Sequence, residues 1–71
     1  MKVYIAHKGD SVQKSTILAI CTSIKSAVFI CAKYAADNHS PMMDWEMNKL
    51  EHEKRASDFF IVTREADACF Y

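Results

Sequence analysis

The chain has 71 residues, 51% of them hydrophobic, with one Gly, one Pro and no formal net charge. Such a length makes one domain, residues 1–71, that buries only roughly 60% of its unfolded surface, and so apolar a composition excludes a disordered tail. One glycine excludes a Gly-rich phosphate cradle, and the apolar run 17–32, interrupted by Lys25, is too short to cross a bilayer.

The neutral total hides a division. Residues 1–36 carry five Lys and one Asp, whereas residues 37–71 carry eight acids and four bases. A chain polarised in this way can neutralise itself on folding, attract a second copy, or present a local basic face. Cys21, Cys31 and Cys69 are odd in number and widely spaced, and no apolar signal segment precedes His7 and Lys8. These features predict free thiols in a cytoplasmic protein.

Residues Lys2 to His7 alternate, with Val3, Ile5 and His7 on one side and Tyr4 and Ala6 on the other, which predicts a strand with one buried face. Lys8 to Ser15 reads as a turn around Gly9-Asp10. It returns the chain as a second, antiparallel strand over Thr16 to Cys21, with Leu18 and Ile20 inward. The pattern then changes at Ser23. From Ile24 the apolar positions recur at 24, 27, 28, 31, 34 and 35, which predicts a helix to about Ala36, capped by Ser23 through the amide of Ser26 and stopped near Asn38. Lys25, Phe29 and Lys33 fall together on the opposite face, where an aromatic residue is out of place.

His39-Ser40-Pro41 is a loop, and residues 41–54 admit two readings. As a strand, Trp45 and Met47 point one way with a bulge before Leu50. As a helix, Ser40 caps, Pro41 opens, and Met43, Met47 and Leu50 form a narrow stripe. The strand is the preferred expectation. Asp58 to Arg64 is rich in aromatic and β-branched residues and predicts the last strand. Ala66 to Tyr71 is expected to be a frayed tail unless Phe70 and Tyr71 dock. The expected fold is therefore α+β, a small antiparallel sheet of three or four strands with one long helix packed on one face.

The segments Val3-Tyr4-Ile5 and 17–23 (ILAICTS), Ala27, and the W-x-M-x-x-L at 45–50 together resemble a class of small bacteriophage and bacterial accessory proteins. The resemblance covers about the first fifty residues. It implies a strand, strand, helix, strand order and a small phage-type protein acting on a host component in the host cytoplasm. No general activity comes with the class. Lys25 and Ser26 stand where the class has acids in the first helical turn, which makes this helix face basic.

Candidate metal ligands are His7, Cys21, Cys31, His39, His52 and Cys69, but no C-x-x-C or H-E-x-x-H pair occurs. Glu51-His52-Glu53 reads as a solvated charged segment, Cys31 as a core residue, and Cys21 lacks a recognisable base. No catalytic residue, metal or cofactor is expected, and the chain is read as a non-enzymatic interaction protein. Lys25, Phe29 and Lys33 are the expected partner-binding residues, suited to an acidic protein surface. Met42, Met43, Trp45 and Met47 are the alternative set. The alternative function is an RNA- or DNA-binding accessory factor that uses the basic helix face with Lys8 and Lys14. A homodimer is expected because so short a chain gains by pairing.

Overall fold

The switch at Ser23 organises the chain in space as in sequence. In a computed structural model, which describes residues 2–65, β1 (Lys2–Gly9), a 3-10 turn (Val12–Lys14) and β2 (Ser15–Cys21) precede α1 (Ile24–Asp37). After α1 come α2 (Asp44–Glu53), β3 (Arg55–Ala56) and β4 (Phe59–Glu65). The four strands form one sheet in the order β2-β1-β4-β3, every neighbouring pair antiparallel. Residues 66–71, with the expected frayed tail and Cys69, lie outside the described residues.

Ser23 has extended backbone and its Oγ accepts from the Ser26 amide at 3.2 Å, so α1 begins where its sequence predicts. The Asn38 amide closes the other end on the carbonyls of Tyr34 and Ala35, and its side chain donates to Tyr34 at 2.8 Å. Ser23→Ala is expected to lower stability by about 1 kcal/mol in denaturant melts, with Ser26→Ala costing markedly less. Equal losses would contradict the cap.

Two helices replace the single one expected. Residues 44–53 are α2, and the preference for a strand there is overturned. Asp44 and Glu46 place carboxylates in the first turn, where they meet the positive end of the helix dipole, and Glu46 Oε1 accepts from the Met43 amide at 3.4 Å. The cap is Met43, three residues beyond the Ser40 of the helical reading. Lys54, in left-handed backbone at φ 64°, ends the helix by donating to the Leu50 carbonyl at 3.0 Å. The chain then turns at once into β3, a strand too short to show any periodicity.

One face of the sheet joins both helices in the core. Ala6, Phe59 and Ile61 from the strands meet Ala27, Val28, Cys31 and Ala35 of α1 and Leu50 of α2. Tyr34 lies at the edge of this cluster with its ring against Phe59, centroids 6.1 Å apart and edge to face. Leu18 packs on the cluster, but Ile20, expected inward beside it, is 65% exposed. A β-bulge is the reason. The β1–β2 register shifts between Ala6 and His7, so Ala19 pairs with Ala6 while Ile17 pairs with His7, and Leu18 is the extra residue. Beyond the bulge the alternation inverts, and Ile20 joins Ile17 on the opposite face.

Gly9 is needed where it stands. Its φ of 146° disfavours other residues, and a Cβ there would collide with the backbone of Lys14 and Ser15 as the 3-10 turn closes on β1.

Candidate functional site

The outer side of α1 keeps the surface its sequence predicts. Lys25, Phe29 and Lys33 are spaced one turn apart, all three are exposed, and Phe29 is 66% accessible. None of the three side chains makes a hydrogen bond, ion pair or ring contact with another described residue. A ring flanked by two ammonium groups on the first three turns of a helix is a compact, partly apolar, cationic surface.

The methionine-rich set does not stay together. Met42 and Met47 pack against the core, while Met43 and Trp45 point outward at 59% and 62% exposure. Capping α2 at Met43 produces this division, because the first helical turn then sends Trp45 away from the Leu50 stripe. Lys8 also leaves the basic set. Its ammonium lies 3.8 Å from the Asp58 carboxylate and 5.6 Å above the Phe59 ring, whereas Lys14 remains exposed.

A cleft of about 280 Å³ opens between the end of α1, the loop before α2 and the β3–β4 turn. It lies at the small end of ligand-sized pockets. Four of its polar side chains pair with one another, Lys8 with Asp58 and the Ser57 hydroxyl with Glu46, and so tie the β3–β4 turn to β1 and α2. Cys31 is sealed in the core, where burial and then the neighbouring Cys21 push its thiol up to about 12, so the thiolate needed for nucleophilic work is disfavoured. Among the described residues, no three His, Cys, Asp or Glu side chains gather as they would around a metal ion, and no helix is long and apolar enough to cross a membrane.

Sequence reasoning missed the face of the sheet turned away from the helices. Register places Val3, Ile5, Ile17, Ile20 and Val62 there, together with the row Ile17, His7, Phe60 and Arg55, one residue from each strand. Within that row His7 and Phe60 stack with centroids 4.6 Å apart and 3° between planes, and the Arg55 guanidinium lies 4.9 Å from the Phe60 centroid. Alternation along β1 marks Val3, Ile5 and His7 as one side. The bulge and the two-residue β3, which complete this face, leave no periodic signal.

Comparison with protein families, with curated proteins and with solved structures returns no match for this chain.

Proposed function

We propose that the protein is a non-enzymatic interaction module, a phage-type accessory modulator that binds a host or phage macromolecule and alters its activity in the cytoplasm. In this reading α1 is a recognition helix carried by the sheet, and Lys25, Phe29 and Lys33 are its contact residues. The observation that carries it is the exposure of Phe29 between Lys25 and Lys33, neither of which pairs with another described residue. A large aromatic ring held in water has no folding role, yet it is the kind of anchor that interfaces use, and the flanking ammonium groups select an acidic partner. Protein is the preferred partner, because a single ring and two lysines make a short footprint for a nucleic-acid backbone.

Capture of partners from native cells by the tagged protein, with and without nuclease, tests the reading. Phe29→Ala combined with Lys25→Glu and Lys33→Glu is expected to abolish capture while circular dichroism stays native, since none of these residues joins the core. Full capture by the triple variant would remove α1 as the recognition element and leave Met43 and Trp45 as the next surface. Capture lost on nuclease treatment, and weakened steeply by salt, would favour the RNA- or DNA-binding alternative.

A further inference from the structure

We propose that a second copy of this chain docks along the free edge of β2, in antiparallel register about a two-fold axis, to make one continuous eight-stranded sheet. The sheet has two edges of unequal kind. On one side β3 covers only Phe59 and Phe60 of β4, and the stretch of β4 beyond it carries Arg64 and Glu65, charges of the kind that protect an edge. β2 ends the other with seven residues, Ser15–Cys21, which include no charge, proline or glycine. Charges and prolines are the usual protection of an edge, and here only the bulge at Leu18 stands in for them.

The faces of β2 select the register. Pairing with β1 puts Thr16, Ala19 and Cys21 on the helix side with Leu18, and Ile17 and Ile20 on the other. A two-fold axis between Leu18 and Ala19 sets Ile17 opposite Ile20 of the other copy and Thr16 opposite Cys21 of the other copy. Every residue from Thr16 to Cys21 then meets one on its own face. Ile17 and Ile20, 56% and 65% exposed in one chain, become a row of four isoleucines across the seam.

The helix side fits the same operation. α1 contacts β1 and β2, and strands spaced about 4.8 Å apart would place its axis about 5 Å from the two-fold. The two copies of α1 would then lie roughly 10 Å apart, a packed-helix spacing. One operation thus covers Ile17 and Ile20, two of the seven large apolar residues exposed among the described residues.

Sedimentation of the full chain at tens of micromolar is expected to give a dimer, and Ile17→Lys with Ile20→Lys is expected to give a monomer with native circular dichroism. Register is tested by Thr16→Cys, which under mild oxidation is expected to link to Cys21 of the other copy and to lose that link when Cys21→Ser is added. A monomeric parent chain overturns the proposal. So does a dimer that the two Lys substitutions leave intact, or one whose Thr16→Cys form does not cross-link through Cys21. Loss of partner capture in Lys25→Glu with Lys33→Glu, with the cross-link retained, concerns the recognition reading alone.

Discussion

Leu50→Ala is expected to cost about 2–5 kcal/mol, most of the reserve of a domain this small, and to leave the chain largely unfolded at ordinary temperature. Leu50 has no exposed surface and, among the described residues, is the largest side chain so enclosed. It is also the buried residue of α2, the one that joins that helix to the core it shares with α1 and the sheet. Truncation would remove three heavy atoms from a site walled by the sheet and α1, neither of which can collapse into the gap without disturbing Ala27 and Ala35. Urea melts and near-ultraviolet dichroism check the result. A loss below about 1 kcal/mol would mean that α2 contributes little to the fold.

What could be read from the sequence depended on how long each pattern ran. Fourteen residues of α1 give four turns of apolar spacing after a serine cap, and the helix lies where that spacing put it. Phe29 was recognisable as a misfit on the same grounds, since a ring between two lysines contradicts the pattern around it. Residues 44–53 give fewer than three turns, and Trp45, Met47 and Leu50 fit a bulged strand almost as well as a helix. The carboxylates at 44 and 46 were the better guide, because they favour a helix start and contribute nothing to a strand. Ile20 failed for a different reason. A single inserted residue at Leu18 inverts every later side chain of β2, and no local property of Leu18 announces it. β3 exists because Ser57, at φ 53°, helps to reverse the chain so that Arg55 and Ala56 pair with β4, a tertiary contact with no two-residue signature.

Phe60→Ala is expected to cost about 3–5 kcal/mol and, more distinctively, to flatten the acid dependence of stability. Phe60 is the centre of the row on the helix-free face, with His7 stacked against its ring and Arg55 also lying over it. His7 is itself buried, and its Nδ1 is 3.0 Å from the Ser15 hydroxyl. That hydroxyl spends its one proton on the Val12 carbonyl at 3.2 Å, so its oxygen accepts from His7 and the imidazole carries hydrogen on Nδ1. Desolvation lowers the pKa of His7 below its usual 6.5, because the charged ring is the form that burial disfavours. The unfolded chain therefore binds the proton more readily than the folded one. The stability from neutral, buried His7 is fully present above pH 6.5 and is lost as the pH falls from there through the lower folded value. Melts between about pH 7 and pH 5.5, above the main titration of the carboxylates, are expected to show that slope in the parent chain. Phe60→Ala opens the ring to water, returns His7 toward its ordinary pKa and removes the slope over the same interval. An unchanged slope would mean that the stack does not desolvate His7, and would assign the acid sensitivity to another group.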